Sequence, residues 1–289
     1  RALRQGCDGD GGAMADEIAS IVARCGKLQN PLTGSGGVLM GKLSHVGPRY
    51  SGAGIALGQR VVPLASLVAT PLRLDTVGPV DPSDPQVRVS GRAIVTGRMS
   101  CAVVPDDLSL DVVLTALDVY PAASHTRRLA RPGAHVLVIG CGHAGLAALV
   151  AARDQLGQSG RVTVVDTREA ALDQACAIYP RAARILADAT RPAEVAGCLS
   201  SLGLAPADLT VLCTTVPGCE GAAILLTGDE GTVLFFSTAT SFPAAGLGAD
   251  ALSSRATLSI PNGYTADEGG YLMDLLRRNE GLLRAYRRS

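Results

Sequence analysis

The chain lacks tryptophan, and its aromatic residues make up only 3% of 289 positions. It also lacks an excess of either charge, because 26 basic and 26 acidic residues give a formal net charge of +0. A nucleic-acid-binding surface usually needs a basic stripe and aromatic side chains on which bases stack. This composition therefore argues against nucleic acid as the main partner.

Long apolar runs and paired cysteines are missing too. No apolar run approaches the roughly 20 residues of a membrane-spanning helix, and no secretory leader is recognised. The eight cysteines form no Cys-x-x-Cys pair, and no histidine stands at zinc-finger spacing. Scattered cysteines of this kind are typical of small buried side chains in a reducing compartment. We therefore expect a cytoplasmic protein that binds neither a membrane nor nucleic acid.

The most informative segment spans residues 136–166, where a predicted strand, a glycine turn, a helix and a second strand follow one another. Gly140, Gly142 and Gly145 give the pattern Gly-x-Gly-x-x-Gly, and Asp166 follows the last glycine by 21 residues. Such glycines let the backbone approach a diphosphate at a helix N-terminus, and such an acid binds ribose hydroxyls. The segment predicts dinucleotide binding, with the alternative that the glycines only permit tight helix–strand packing.

The glycine loop and the nearby strand ends supply the predicted coenzyme contacts. A carboxylate at Asp166 repels a 2′-phosphate, so NAD is favoured over NADP, although Arg168 can soften that preference. For the Cys141 thiol, packing is favoured over coenzyme contact. For Ser237 and Thr240 a cap or turn role is an equal alternative, for Asp188 a plain turn role is at least as favoured, and for His143 simple exposure to solvent is favoured. The predicted coenzyme-binding residues are Gly140, Cys141, Gly142, His143, Ala144, Gly145, Asp166, Thr167, Arg168, Asp188, Thr214, Thr215, Ser237 and Thr240.

The predicted secondary structure changes along the chain. Residues 58–70 and 86–104 contain short β-rich runs divided by Gly and Pro, which indicates an antiparallel, barrel-like domain. Residues 135–260 alternate strand and helix, which predicts an α/β fold with a doubly wound parallel sheet and ligands at the carboxyl strand ends. The expected strands lie near 136–139, 162–166, 184–187, 209–214, 231–237 and 256–260, and the expected helices include 168–179 and 191–202.

These patterns divide the chain into two predicted domains and a C-terminal return segment. Residues 1–118 form the β-rich domain, and residues 119–260 form the dinucleotide-binding domain. Residues 261–289 form a return segment that packs on the first domain. A helix is predicted over 107–120, and one amphipathic helix is predicted over 267–289, with basic residues late in it that suit the helix dipole.

Several strings carry a resemblance to a known family. They are QNPLTGSGGVLMG at 29–41, TPLRLD at 70–75, VPGCE at 216–220, GTVLFFSTATSF at 231–242 and NGYT at 262–265. With the β-rich front and the Rossmann unit, the chain resembles the medium-chain dehydrogenase/reductase superfamily and, within it, the L-erythro-3,5-diaminohexanoate dehydrogenase family. The resemblance implies a Rossmann sheet beside a GroES-like barrel domain. The first barrel strands are not found, so we expect that domain to be N-terminally incomplete.

The resemblance implies a reaction of bacterial lysine fermentation. (3S,5S)-3,5-diaminohexanoate, NAD(P) and water give 5-amino-3-oxohexanoate, ammonium and NAD(P)H. This chemistry needs C3 held against the nicotinamide and a base that takes a proton from the ammonium group. The alternatives are a zinc-free quinone or enoyl reductase of the same superfamily, an S-adenosylmethionine-dependent methyltransferase, and a nucleotide-binding module without chemistry. A methyltransferase is disfavoured because the strand at 136–139 carries no acid before the glycines.

The candidate catalytic residues lie outside the glycine loop. Asp118 lies in an apolar helical stretch, where a carboxylate either has a partner or titrates at higher pH, and a surface acid is the alternative.

Zinc-containing relatives carry Gly-His-Glu where this chain has Ser35 in place of the histidine, so the resemblance implies no zinc and no other metal. Thr33 and Ser35 are candidates for substrate hydrogen bonds and Tyr264 for proton donation, each with a turn or packing role as the alternative. A diamino acid is the expected small-molecule partner, and a homodimer through the strand at 256–260 is expected by analogy.

Overall fold

The computed structural model describes residues 2–31, 34–48, 50, 55–84, 86–96, 100–237, 239–261 and 268–287. The chain divides into two compact units, one spanning Arg1–Leu110 and the other Asp111–Gly263 with Glu268–Ser289. Over the described part of the chain, no helix combines the length and the apolarity needed to cross a membrane.

The first unit contains short antiparallel strands, as the β-rich runs predict. Asp10 caps the second helix, and Gly26 ends it with a φ of 65°. Strands β1, β2 and β5 form one sheet in that order, and β3 pairs with β4 in another. The elements are α1 (Ala2–Gly6), α2 (Gly11–Cys25), β1 (Gly41–Lys42), β2 (Arg60–Pro63), a 3₁₀ turn (Leu67–Ala69), β3 (Leu72–Val77), β4 (Val89–Ala93) and β5 (Cys101–Val103).

The second unit alternates strand and helix, and the six strands expected from the sequence are all present. Its elements are α3 (Leu110–Leu129), β6 (His135–Ile139), α4 (His143–Leu156), β7 (Arg161–Asp166), α5 (Glu169–Ile178), β8 (Ala183–Leu186), α6 (Pro192–Ser201), β9 (Ala207–Leu212), α7 (Glu220–Leu225), β10 (Thr227–Phe235), α8 (Phe242–Leu247), α9 (Ala249–Ser253), β11 (Thr257–Ser259), α10 (Glu268–Arg278) and α11 (Glu280–Arg287). This pattern confirms the α/β prediction.

The six strands form one parallel sheet in the order β11-β10-β9-β6-β7-β8. The chain adds β7 and β8 on one side of β6 and then crosses to β9 on the other side, so the strand order reverses between β6 and β9. Ile139 of β6 pairs with Leu212 of β9, and the loops that follow both strands meet at this switch point. Ligands of doubly wound sheets bind at such a position. The dimer expected at the edge strand β11 stays a prediction.

Burial explains why residues 136–139 of β6 read as a continuous apolar run. All five of its residues are buried, because helices cover both faces of a parallel sheet. Leu149 on α4 is fully buried as well, and burying a side chain of this size contributes about 1.5–3 kcal/mol. The sheet and α4 therefore form a rigid support for the turn between β6 and α4.

Three expectations about the helices differ from the structure. The tail predicted as one helix is broken at Asn279, whose side-chain oxygen accepts the N–H of Leu282 and so starts a second helix. The tail was expected on the first domain, but Glu268–Ser289 groups with the second unit, because α11 buries Leu282 and Tyr286 there. The helix predicted to end at residue 120 continues through Pro121, because the turns around the proline are buried and tertiary packing offsets the lost hydrogen bond.

Candidate dinucleotide-binding site

The first glycine of the loop is required by the backbone. Gly140 follows β6 with a φ of 94°, a conformation that L side chains rarely adopt. Its N–H donates to the carbonyl of Val165 at 2.8 Å, which ties the turn to β7. A Cβ atom on Gly140 would lie 2.9 Å from the backbone nitrogen of Thr214. The turn therefore fits between the strand ends only without a side chain.

The third glycine is required by packing. A Cβ atom on Gly145 would overlap the carbonyl oxygen of Gly140 and lie 3.4 Å from a methyl group of Val138. Gly145 is buried in the first turn of α4, so it lets the helix start directly above β6. This closeness brings the positive end of the helix dipole to the switch point.

Neither backbone conformation nor packing within the protein requires a glycine at the second position, Gly142. Gly142 is the N-cap of α4 with φ −78° and ψ −169°, which other residues also adopt, and a Cβ atom there would meet nothing within 4 Å. Among the described residues, no side chain caps α4. The amides of its first turn have no partner within the helix. The open space and these amides fit a diphosphate group.

Asp166 fixes the loop from the end of β7. Its side chain is only 8% exposed. Oδ2 accepts the N–H of Cys141 at 2.8 Å, and Oδ1 accepts the N–H of Arg168 at 2.9 Å. Oδ1 also accepts the Nε–H of Arg168 at 3.3 Å, and each carboxylate oxygen has two acceptor sites, so Oδ2 keeps one site for a ribose hydroxyl. The amide of Cys141 is engaged, so its predicted coenzyme contact does not run through that N–H.

Arg168 lies beside the same carboxylate. Its Nε is 3.3 Å from Oδ1 of Asp166, and its side chain is 68% exposed. Because the guanidinium is exposed to solvent, its pairing with the carboxylate is screened and contributes little to stability. The guanidinium is therefore free to move toward a ligand, which agrees with its predicted effect on coenzyme preference. The adjacent Thr167 is exposed.

Cysteine thiols near the loop are held in their neutral form. Cys141 is 2% exposed, and its Sγ lies 4.0 Å from the carbonyl oxygen of Val165. Burial, followed by the charge of Asp166, raises the pKa of Cys141 to about 12. Burial also raises the pKa of Cys213. Both thiols are therefore protonated at physiological pH, and the packing role favoured for Cys141 stays a prediction.

His143 and Ala144 are both partly buried and form the first turn of α4. The ring of His143 packs against the ring of Tyr286 on α11, with centroids 4.7 Å apart. Burial lowers the pKa of His143, so the ring is neutral at physiological pH. Its contact with a phosphate stays a prediction.

The other predicted coenzyme contacts lie at strand ends and take part in turns. Asp188 accepts the N–H of Thr190 at 2.9 Å, and this bond lowers the pKa of Asp188. Oγ1 of Thr214 accepts the N–H of Val216 at 3.2 Å, and Oγ of Ser237 accepts the N–H of Ala239 at 3.1 Å.

Thr215 and Thr240 are the other two predicted coenzyme contacts at strand ends. Thr215 is exposed. Within the described chain, Oγ1 of Thr240 is buried without a hydrogen-bond partner. Turn roles therefore account for Asp188, Thr214 and Ser237, and all five coenzyme roles stay predictions.

A buried glutamate near this edge was not singled out from the sequence. Glu220 is 3% exposed, and its Oε1 accepts the N–H of Ser241 at 2.6 Å. The bond joins the start of α7 to the loop that contains Ser237 and Thr240. The VPGCE string contains this acid, but only the fold shows that it holds a loop about 20 residues away.

Asp118 lies on α3 and is accessible to solvent. Desolvation by the surrounding protein atoms nevertheless raises its pKa. The raised pKa makes this carboxylate a stronger proton acceptor than a free aspartate, and the catalytic role stays a prediction.

The turn that contains Ser35 closes on itself. Asn30 donates its N–H to the carbonyl of Ser35 and accepts the N–H of Gly34, both at 2.8 Å. Ser35 is exposed. Thr33 and Tyr264 lie outside the described residues. Within the described ranges, no three His, Cys, Asp or Glu side chains are grouped so that they could hold a metal ion.

The glycine loop at a switch point defines a Rossmann-type dinucleotide-binding unit. The alcohol dehydrogenase TADH from Thermus sp. ATN1 has a similar structure, with 19% identity, coverage of 93% of this chain and 81% of that chain, and a TM-score of 0.55. The zinc-dependent alcohol dehydrogenase 2 from Streptococcus pneumonia, apo form, gives 16% identity, coverage of 86% and 74%, and a TM-score of 0.56. The chain thus has the alcohol dehydrogenase-like fold of medium-chain dehydrogenases/reductases.

Sequence comparison gives the family. Residues 1–105 match the L-erythro-3,5-diaminohexanoate dehydrogenase N-terminal domain. The L-erythro-3,5-diaminohexanoate dehydrogenase of Fusobacterium nucleatum is 34% identical over 268 residues, which cover 91% of this chain and 77% of the relative. That of Acetoanaerobium sticklandii is 34% identical over 270 residues, which cover 92% and 78%. The chain belongs to the L-erythro-3,5-diaminohexanoate dehydrogenase family.

Proposed function

We propose that the chain catalyses the NAD(P)-dependent oxidative deamination of (3S,5S)-3,5-diaminohexanoate to 5-amino-3-oxohexanoate. The observation that carries this proposal is the 34% identity with two dehydrogenases of that name over about nine tenths of the chain. The glycine loop supports it independently, because its open N-terminal turn fits a diphosphate.

The proposed coenzyme is a nicotinamide dinucleotide, with NAD preferred over NADP. When bound, it accepts the hydride from C3 of the substrate. The first-turn amides of α4 bind the diphosphate, and Asp166 binds the adenosine ribose. Support for the NAD preference comes from the nearly buried carboxylate of Asp166, since its charge repels a 2′-phosphate.

Asp118 is the proposed base that takes the proton from the C3 ammonium group and later serves the addition of water. Its raised pKa supports this role, because a carboxylate with a raised pKa accepts a proton more readily than a free aspartate does. We propose that the reaction needs no zinc. Support comes from Ser35, which offers a neutral hydroxyl at a turn where an imidazole would be a zinc ligand.

The test is direct. Purified protein is mixed with NAD and the diamino acid, and NADH absorbance and ammonium are followed together. Equal amounts of NADH and ammonium, with a slower reaction in NADP, are expected. Absence of NADH, combined with NADPH oxidation by a quinone or tight binding of S-adenosylmethionine, would instead indicate one of the alternative enzyme classes.

A further inference from the structure

The C-terminal helix contacts the start of the glycine-loop helix through one tyrosine. Tyr286 on α11 is 0% exposed, and its hydroxyl donates to the carbonyl oxygen of His143 at 2.8 Å. The rings of the two residues are 4.7 Å apart and tilted by 48°. Leu282 and Ala285 on the same helix are buried as well. The contact is therefore a packed one, and it joins residues that are 143 positions apart.

The hydrogen bond acts on a peptide unit that faces the loop. The carbonyl of His143 and the N–H of Ala144 belong to one planar trans peptide and point in opposite directions. The carbonyl receives the tyrosine hydroxyl. The N–H lies in the first turn of α4, where amides have no partner within the helix. A donor on the carbonyl side fixes the peptide plane and polarises the N–H on the other side.

The donor stays available across the physiological range. Burial raises the pKa of Tyr286, so its hydroxyl keeps the proton. Burial lowers the pKa of His143, whose ring hydrogen-bonds the backbone of Ala285, so the neighbouring ring carries no positive charge. Both pKa shifts favour the arrangement in which the Tyr286 hydroxyl donates to the carbonyl of His143.

We propose that Tyr286 is a positioning residue for coenzyme binding, which orients the Ala144 amide toward the diphosphate through the carbonyl of His143. The inference rests on the proposed dinucleotide binding and adds the C-terminal helix to that site. It makes coenzyme affinity depend on a hydroxyl that touches no part of the coenzyme.

The test is Tyr286→Phe, which removes the hydroxyl and keeps the ring. The control is Tyr271→Phe on α10, where the hydroxyl has no hydrogen-bond partner in the described part of the chain and the ring contacts Arg127. Affinities for NADH, ADP and adenosine are measured for both variants and the wild type. Since one hydrogen bond contributes about 0.5–1.5 kcal/mol, NADH and ADP should bind Tyr286→Phe about two- to twelvefold more weakly. Adenosine, which lacks phosphates, and the control should be unchanged.

Three outcomes oppose the proposal. Unchanged NADH and ADP affinities in Tyr286→Phe, with or without a lower melting temperature, would show a purely structural role. Equal weakening of adenosine would show a general loss of shape at the site. A wild type that binds none of the three ligands would overturn dinucleotide binding itself. Binding of NADH without turnover of the diamino acid would contradict only the proposed reaction.

A second measurement does not depend on a folded variant. In the wild type, saturating NADH should slow the hydrogen exchange of amides in α11, because coupling between two groups is reciprocal. The control is α6, which packs against α7 and β8. Hydrogen exchange of its amides should not change. Unchanged exchange in α11 would overturn the coupling.

Discussion

Residues 140–145 and residues 34–37 are both glycine-rich turns next to a strand or extended segment, yet their glycines are needed for different reasons. In the second turn, Gly34 and Gly37 have φ values of 67° and 72°. A Cβ atom on Gly36 would lie 2.6 Å from two backbone atoms of neighbouring segments. Conformation or packing therefore accounts for each of these three glycines.

In the first turn, the same explanation holds for Gly140 and Gly145 but fails for Gly142. Its conformation is ordinary, and the space beside it is open. The open space beside Gly142 lies at a helix N-terminus, and a diphosphate is a group that such a position admits. The comparison separates a turn that shapes the fold from a turn that is shaped for a ligand. The variants below test that separation.

The largest effect is expected from a substitution that lowers the catalytic rate without changing coenzyme affinity. Asp118→Asn should lower kcat by about 10²–10⁴-fold, the usual contribution of a general base, and should leave NADH affinity nearly unchanged. Steady-state kinetics and NADH titration check this. The acid limb of wild-type turnover should lie above pH 3.8, because burial raises the pKa of Asp118 from that value.

Stability gives the control for Asp118→Asn. Because its pKa is higher in the folded chain than in the unfolded one, Asp118 stabilises the fold below the unfolded value and loses that contribution as the pH rises through the folded value. At pH 7 the variant should therefore melt at the same temperature as the wild type or higher. Unchanged turnover would remove Asp118 from the mechanism, and a large drop in melting temperature would show that the side chain is structural.

The next effect concerns the glycine that the protein does not need. Gly142→Ser should fold normally, because serine is a preferred N-cap and the position is open. Its hydroxyl would occupy the amides that bind the diphosphate, so NADH affinity should fall about tenfold or more. Thermal denaturation and NADH titration measure the two properties separately.

A matched variant is Gly197→Ser on α6, where a Cβ atom also meets nothing within 4 Å. It should change neither melting temperature nor NADH affinity appreciably. If Gly142→Ser binds NADH as the wild type does, the open space at the N-cap is not the diphosphate site.

The opposite result is expected in the other turn. Gly36→Ala should lower the free energy of unfolding by about 1–3 kcal/mol, because the methyl group meets two backbone atoms that cannot move aside easily. NADH affinity should stay unchanged. Gly41→Ala is the control, since its nearest contact is 3.8 Å away. A Gly36→Ala variant that keeps its stability and loses NADH would reverse the roles of the two turns.

Much of the fold follows from short-range patterns in the sequence. The six sheet strands were predicted because buried parallel strands are apolar runs, and the loop was predicted because its glycines stand at fixed spacing. Contacts made between distant segments carry no such signal. The break at Asn279 depends on one side-chain bond to Leu282, and the bond from Tyr286 to His143 spans 143 positions. Glu220 is also an ordinary acid until the fold buries it against Ser241.

The smallest effect concerns the choice between the two coenzymes. Asp166→Asn keeps an oxygen that can accept the N–H of Cys141, so the loop should keep its shape. The substitution removes a negative charge, and two unit charges about 4 Å apart repel by about 1 kcal/mol in water. The preference for NAD over NADP, measured as the ratio of kcat/KM, should therefore fall about five- to tenfold, helped by the exposed Arg168. Asp173→Asn removes the same charge from an exposed pair with Arg184 and should leave the ratio unchanged. Equal ratios in all three proteins would mean that Asp166 supports the loop without selecting the coenzyme.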